Sequence, residues 1–403
     1  MTPFSALISW VLSRTLTPCF SRSLTTHSAC FAETSGQNLD HFARWYEQAG
    51  TPTIVASGRY DAAAKRYTLD LAQSTPPTPG QTEKQPVVLP IKLGLVGAKG
   101  DLPLKTASNA YAGDGLIVLD QASLSITFED VPEAPIPSLM RGFSAPARLD
   151  LDLSDSDLLR LFPAPTEPFN RWQSLQSVAT RVLVAAGKPG ADANVLTTTA
   201  SKLGEALQVF LKADALSDPA FAAQVLRLPA PADIAREIGG DVDPDAIFAA
   251  HRKLSGAIGK ALLGELPGLR GALAASGAYR PDAASAGRRA LRNELLGLAA
   301  LAAPTEAADL CEGQFTGGDN LTDRLAALAA MTLIPGERRE ALIRRFAEAY
   351  AGEPLVLDKW LMAQALIAEP GTLERVKTLM QHPAFSLGNP NRVRALIGGF
   401  AAN

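Results

Sequence analysis

Residue types that commonly bind metals or take part in catalysis are sparse in this sequence, and histidine is the first example. The four histidines are His27, His41, His251 and His382, and none lies four residues from another. The sequence therefore lacks H-E-x-x-H, the helical motif that places two imidazoles on one zinc ion beside a glutamate base. The three cysteines include no C-x-x-C pair. These patterns predict no sequence-local metal site, no disulfide framework and a reducing compartment.

Other catalytic signatures are also missing from the sequence. No G-x-S-x-G nucleophile elbow occurs, and GQFTGGD at 313–319 lacks the Lys-Ser/Thr end of a phosphate-binding loop. The alternating aspartates of GGDVDPDAIF superficially resemble a calcium loop. Counted from the first aspartate, Ala246 stands where that loop needs glycine and Arg252 where it needs glutamate. We therefore expect these aspartates to cap a helix.

Two arginines remain as candidate binding residues. Most basic clusters lie beside glutamates in helical segments, which is typical of solvated helix faces. Arg392 and Arg394 differ, because they follow a Pro-Asn turn at the predicted start of a helix, NPNRVRALIGGFAAN at 389–403. An arginine at such a place can grip a carboxylate. A surface or ion-paired arginine stays open as the alternative.

Composition limits the classes of partner. The chain has 403 residues, of which 47% are hydrophobic, and a net charge of −3. This length suits two to three domains with their own cores. The charge argues against a nucleic-acid or membrane-surface partner, since such proteins usually carry a basic excess. No apolar run approaches the roughly 20 residues that span a bilayer.

Hydrophobic periodicity divides the chain into parts that must position these residues. The segment 38–50 predicts a helix, with Leu39, Phe42, Trp45 and Tyr46 on one face. Short runs rich in Val, Ile, Leu and Thr then alternate with turn residues up to about residue 150. They predict a small antiparallel β-sandwich, and a barrel remains an alternative. From Ser154 the period is helical to the end, which predicts an all-α superhelical domain of the armadillo or HEAT type.

Both ends of the chain are unusual. Residues 1–30 contain no acidic residue and include Arg14 and Arg22. That composition fits a mitochondrial presequence better than a secretory signal, and sequence read from an altered gene start is the interpretation we favour. At the other end, the apolar stripe between 393 and 400 is followed by nothing that would cover it. We therefore expect an uncovered stripe there.

The order of several motifs carries a resemblance to a known family. They are FARWYEQAGTPTI (42–54), YTLDLAQSTPPTPGQTEKQPVVLPI (67–91), FSAPARLDLDLSDSDL (143–158), FNRWQSLQ (169–176), LTDRLAAL (321–328), LVLDKWLMAQA (355–365) and HPAFSLGNPNRVRALIGGFA (382–401). From about residue 29 onward, the sequence resembles the C-terminal part of bacterial aminopeptidase N, a zinc metalloaminopeptidase family.

The resemblance implies a domain organisation in which the catalytic centre is absent from this sequence. Residues 1–30 would be a leader foreign to the family, 31–50 the last helix of a catalytic domain, 51–150 an Ig-like sandwich, and 151–403 most of a helical bowl. The family's zinc ligands, base glutamate and G-A-M-E-N motif lie upstream, and none is present here. The resemblance thus implies zinc in the parent enzyme, no cofactor on this chain, and peptide substrates for the parent. It also places Arg392 and Arg394 in the substrate cavity.

Three functional hypotheses follow. In the first hypothesis, the chain is a C-terminal portion of an aminopeptidase N that is cut within its helical bowl and is inactive alone. The second hypothesis is a standalone peptide-binding scaffold that uses the concave surface of the helical repeats. In the third, a separately encoded catalytic domain docks in trans on the helix at 38–49, through Phe42 and Trp45 left without packing partners. The expected location is cytoplasmic, or mitochondrial if the first 28 residues are a presequence.

Overall fold

The computed structural model describes residues 29–36, 38–164, 167–188, 190–274 and 277–402. The predictions made for residues 1–28 lie outside this part of the chain. The described chain divides into two compact units. One comprises the residues up to Ser154 together with Ala164–Asn170, and the other comprises Asp155–Pro163 together with the residues from Arg171 onward.

The first unit contains two short helical segments and a set of strands. Residues 29–35 are helical, and a second helical segment, α1, runs Asp40–Glu47. The strands are β1 Thr53–Asp61, β2 Arg66–Ser74, β3 Leu89–Gly97, β4 Gly100–Leu102, β5 Tyr111–Gly113, β6 Leu116–Leu119, β7 Ser123–Phe128, β8 Ile136–Leu139 and β9 Arg148–Leu151. A 3-10 turn, Arg141–Phe143, separates the last two strands.

The strands form two sheets rather than one closed sheet. One sheet has the order β7-β2-β1-β9, and the other has the order β4-β3-β6-β5 with β8 also paired to β3. Alternate residues of β2, namely Tyr67, Leu69 and Leu71, are buried, as the period of two requires. The prediction of a β-sandwich is confirmed, and the barrel alternative is wrong, because the strands form two separate sheets. All pairs are antiparallel except β1 with β9, which run parallel.

Helix α1 packs on the sandwich. The ring of Trp45 lies against the sandwich core, and its Nε1 donates a hydrogen bond to Val88 O at 2.9 Å. The expectation that Trp45 lacks packing partners is therefore wrong, because the segment before β3 supplies them. Phe42 and Tyr46 lie on the outer side of the helix, 39% and 56% exposed, with their rings edge to face at 6.3 Å.

The rest of the chain is helical, as its periodicity predicts. The helices are α2 Asp155–Leu161, α3 Pro168–Ala186, α4 Ala193–Asp214, α5 Pro219–Leu226, α6 Pro231–Ile238, α7 Pro244–Leu262, α8 Leu266–Ala272, α9 Ala283–Ala302, α10 Pro304–Gly317, α11 Leu321–Thr332, α12 Glu337–Ala349, α13 Pro354–Ala365, α14 Thr372–Leu379, α15 Pro390–Val393 and α16 Gly399–Ala401. Asp243 caps α7 by accepting from Ala246 N at 3.0 Å. Capping, not calcium binding, is thus the role this aspartate fills.

The last helical segment packs onto α13. Between α15 and α16 the backbone makes a π-helical turn, Arg394–Gly398, so the predicted single helix is a helix with a π bulge. Leu396 is completely buried and Ala395 nearly so, while Val393, Ile397 and Phe400 are half-buried. The expectation of an uncovered stripe is therefore wrong, because α13 covers it. Among the described residues, no helix combines the length and apolarity needed to cross a bilayer.

Candidate functional site

The start of α15 holds the two candidate arginines. The side chain of Asn389 accepts from Asn391 N at 3.0 Å, and Pro390 occupies the first helical position. Both residues favour a helix start, since the cap satisfies a free N–H and proline has none to lose. The predicted turn and cap at this position are confirmed. They fix the backbone from which Arg392 and Arg394 project.

Arg392 is held by a carboxylate from another helix. Its Nε forms an ion pair with Oδ1 of Asp358 on α13, and Nη2 approaches Pro354 O at 3.4 Å. The two side chains are only 11% and 16% exposed. Such a pair is stable only while both charges are present, because each alone would be an uncompensated buried ion. Sequence reasoning missed Asp358, since nothing in LVLDKWLMAQA marks its partner.

Arg394 is exposed and begins the π-helical turn. Its guanidinium makes no ion pair or hydrogen bond within the part of the chain that the structure describes. Residues two apart in a helix point to nearly opposite sides. The backbone thus sends Arg392 toward α13 and Arg394 toward solvent, and the two predicted site residues do not converge on one point.

A charge-balanced cluster lies on α12, α13 and α14. Arg339 binds Glu369 with both terminal nitrogens, at 2.6 and 2.9 Å, and Arg375 binds Glu340 in the same way at 2.6 and 2.9 Å. These hydrogen bonds lower the pKa of both glutamates. A cavity of about 300 Å³ adjoins the cluster, with Gln364 in its wall. Because each guanidinium already faces a carboxylate, the wall carries no net charge.

The residues present do not fit a catalytic zinc ion. Within the described ranges, no three His, Cys, Asp or Glu side chains are grouped so that they could hold a metal. His41 contacts Pro86 O at 2.9 Å, and the ring of His382 lies against that of Trp360, with centroids 5.1 Å apart and the planes tilted by 52°. His251 is half-buried, and burial lowers its pKa. His27 lies outside the described residues. No step of a reaction is assigned to zinc on this chain.

Two family models match the chain along nearly all of its described length. Residues 50–152 match a domain of unknown function with an Ig-like fold (DUF3458), and residues 155–403 match a domain of unknown function with ARM repeats (DUF3458_C). These matches agree with the sandwich and the helical part seen in the structure. The predicted combination of an Ig-like sandwich and an armadillo-like domain is confirmed.

Curated relatives agree with these matches, and they show how much of each related protein this chain covers. Aminopeptidase N of Caulobacter vibrioides is 41% identical over 377 residues, which are 93% of this chain and 42% of that protein. Aminopeptidase N of Escherichia coli is 33% identical over 375 residues, 92% of this chain and 42% of that protein. A crystal structure of Legionella pneumophila aminopeptidase A in complex with aspartic acid has a TM-score of 0.75. Its 24% identity, over 93% of this chain and 42% of that one, supports the fold alone.

The chain thus spans about two fifths of the length of the curated relatives it matches. The part that it matches is C-terminal, in agreement with the predicted resemblance. The chain belongs to the DUF3458_C family of ARM-repeat domains and corresponds to a C-terminal part of aminopeptidase N homologues.

Proposed function

We propose that this chain is the non-catalytic C-terminal portion of a zinc-dependent aminopeptidase N, an enzyme that releases N-terminal amino acids from peptides. The supporting observation is the alignment of 93% of the chain with 42% of an aminopeptidase N. The sequence itself has no H-E-x-x-H motif. The zinc, the base and the site for the substrate's amine then belong to a catalytic domain encoded elsewhere.

The proposed task of the helical part is to shape the cavity that peptides enter. Arg394 is the residue we assign to contact with a peptide's distal carboxylate, because its guanidinium is exposed. Arg392 would line the same cavity while Asp358 holds its guanidinium in one orientation. A peptide carboxylate near Arg392 would share the guanidinium with Asp358 rather than replace it.

The proposed partner is a catalytic domain that docks in trans on α1. This helix is fixed to the sandwich by Trp45, so its outer face is presented in a defined position. Phe42 and Tyr46 form that outer face and leave two aromatic rings in contact with water. Exposed aromatic pairs are typical anchors of protein interfaces.

The first experiment is to express the chain alone and measure bound zinc and hydrolysis of aminoacyl reporter substrates. We expect negligible zinc and no hydrolysis. Zinc at one equivalent, or turnover that a chelator abolishes, would overturn the proposal. The alternative function, a standalone peptide-binding scaffold, predicts instead that the chain binds peptides without hydrolysing them.

The second experiment tests the partner. The chain is mixed with a separately produced catalytic segment of the C. vibrioides aminopeptidase N, and complex formation is measured by sedimentation. We expect a complex that the double substitution F42A/Y46A weakens at least tenfold, since two aromatic anchors are each worth about 1 kcal/mol or more. V209A is the matched control, because Val209 is 60% exposed on a different helix. Equal weakening by the control would refute docking on α1.

The third experiment tests the cavity in that complex. R394A is expected to raise KM about fivefold for peptides with a free C-terminal carboxylate and to leave KM unchanged for the corresponding amides, as loss of one exposed charge contact predicts. An equal effect on both peptides would remove Arg394 from the proposal.

A cytoplasmic location is also proposed, with mitochondrial import as the alternative. Cell fractionation with an antibody against the chain separates the two.

A further inference from the structure

A cavity of about 300 Å³ lies between one face of α14 and the C-terminal end of α13. This volume is at the lower end of the range of about 300 to 1,000 Å³ that small-molecule sites occupy. The α14 residues in its wall recur at helical spacing and share one face of the helix, and they are Thr372, Arg375, Thr378 and Leu379. Gln364 and Glu369 complete the wall. The cavity therefore adjoins two charged groups and a buried amide.

Arg375 meets this cavity with one edge of its guanidinium unused. Glu340 accepts from Nη1 at 2.9 Å and from Nη2 at 2.6 Å, and Gln364 Oε1 accepts from Nη1 at 3.2 Å. Within the described residues, Nε and the second N–H of Nη2 have no partner. These two donors are parallel, and they form the second edge on which an arginine can bind a carboxylate with two hydrogen bonds.

The unused edge is accessible. Across the described ranges, the side-chain nitrogens that are both sealed from solvent and unpartnered are Nε of Arg292 and Nε of Arg392. Nε of Arg375 is unpartnered but is not one of them, so it is open to solvent. The side chain of Arg375 is 24% exposed, whereas that of Arg339 is 6% exposed. Of the two arginines in the charge-balanced cluster, Arg375 is the one that a ligand in the cavity can reach.

Glu369 offers the opposite charge to the same cavity. Its two oxygens accept from Arg339 at 2.6 and 2.9 Å, and its side chain is 36% exposed. These hydrogen bonds are the main cause that lowers the pKa of Glu369, so the carboxylate is ionised at neutral pH. Each carboxylate oxygen can accept more than one hydrogen bond. Glu369 can therefore accept from an ammonium group in the cavity while it stays bound to Arg339.

Gln364 adds a neutral donor. The residue is 3% exposed, and the hydrogen bond from Arg375 fixes the orientation of its amide. In the described part of the chain, Nε2 has one hydrogen-bond partner, Trp360 O at 3.5 Å, which is long for such a bond. The amide nitrogen carries two N–H groups, and a buried N–H without an acceptor costs free energy. An acceptor in the cavity would remove that cost.

The charges in the wall decide what kind of molecule fits. The two arginines and two glutamates of the cluster sum to zero charge. A lone anion on Arg375 would be repelled by the carboxylates of Glu340 and Glu369, and a lone cation on Glu369 would be repelled by two guanidiniums. A small molecule that carries both charges meets each group with its opposite.

We propose that this cavity binds one free α-amino acid. The carboxylate of the amino acid accepts from Nε and Nη2 of Arg375 and from Nε2 of Gln364, and its ammonium group donates to Glu369. Its side chain lies beside Leu379 and Thr378. The site does not depend on the peptidase partnership proposed above, because its wall includes no residue of α1 or α15.

The test is the melting temperature of the whole chain at pH 7, with each of the common α-amino acids added in turn. We expect a saturable rise of about 3 to 6 °C for at least one of them at ten times its Kd, since binding to the folded state alone stabilises by RT ln(1 + [L]/Kd). Saturation separates binding from the general effect of an excluded osmolyte, which keeps growing with concentration. No saturable rise with any amino acid would overturn the proposal.

Analogues that lack one charge test the zwitterion on the parent chain, without any substitution. The amide of the best amino acid lacks the carboxylate, and its N-acetyl derivative lacks the ammonium group. We expect each to bind at least about tenfold more weakly, since each loses a charge-assisted contact. Equal binding of either analogue would refute recognition of both charges.

Variants place the site in the cavity. T378F fills the cavity from its wall and is expected to lose the rise, whereas K377F, the same substitution at the neighbouring exposed position outside the wall, is expected to keep it. R375Q and E369Q are expected to weaken binding at least about tenfold, and R344Q, on an exposed arginine, to leave it unchanged. A rise that persists in T378F would overturn the proposal. If R375Q and E369Q do not fold, T378F and the two analogues decide.

Discussion

Removal of Asp358 should destabilise the helical part far more than removal of Arg394. In D358A, the side chain of Arg392, which is only 11% exposed in the parent chain, loses its counter-ion. Breaking a buried ion pair by removing one partner costs about 3 to 5 kcal/mol. The side chains of this pair keep 11% and 16% exposure, so water screens part of the cost. We therefore expect a loss of about 2 to 3 kcal/mol, against less than about 0.5 kcal/mol for R394A.

The assay is urea unfolding of the full chain at neutral pH, followed by circular dichroism at a helical wavelength for the helical part and at a strand wavelength for the sandwich. The helical and sandwich transitions are fitted separately, because a chain of two units need not unfold in one step. A loss of 2 to 3 kcal/mol corresponds to a melting temperature lower by about 4 to 12 °C for a unit of this size. The midpoint of the sandwich transition serves as the internal control and should not move.

The double substitution R392M/D358L gives the sharper discrimination. It replaces both charges with apolar side chains of similar size, so no buried charge remains unpaired. We expect it to be less destabilised than D358A by at least about 1 kcal/mol. If D358A and R394A unfold at the same urea concentration, the pair contributes nothing and Arg392 is free. The reasoning that separates the two arginines would then be refuted.

Three further outcomes follow from single sites. Burial lowers the pKa of His251 below 6.5, so as pH falls the unfolded chain takes up the proton first and stability decreases. H251Q should remove that part of the loss as the pH falls below about 6.5, as measured by urea unfolding. Cys311 should resist alkylation at pH 8 in the folded chain and react in urea, which mass spectrometry can follow, since it is fully buried with a pKa of about 12. G94A should cost about 1 to 3 kcal/mol, because the new Cβ would lie 2.2 Å from Cζ of Arg141, whereas G313A, in an open helical position, should stabilise by about 0.5 kcal/mol in the same unfolding assay.

Local patterns in the sequence predicted the elements well. The caps at Asn389 and Asp243 follow from side chains that bond to backbone N–H groups two or three residues away. The change of period near residue 154 predicted where strands give way to helices, since burial on one face imposes a period of two or of 3.6. Weak strands were not predicted: β4 and β5 have three residues each, too few to show a period.

Long-range contacts were predicted poorly, and the two errors share one cause. Trp45 was expected to lack partners, yet Val88, 43 residues away, accepts its N–H. Leu396 was expected to lie uncovered, yet α13 covers it. An apolar stripe shows that a face needs a partner, but the stripe does not say which segment supplies it.

The sequence by itself determined the class of this protein: a small β-sandwich, a helical domain, the motifs of an aminopeptidase N, and no H-E-x-x-H. These features depend on neighbours in the chain or on motif order. Only the tertiary structure decided which charges meet. It paired Arg392 with Asp358 across 34 positions, left Arg394 in solvent, and joined Arg339 to Glu369 and Arg375 to Glu340. The strength of a charge contact depends on distance and burial, and neither quantity can be read from spacing along the chain.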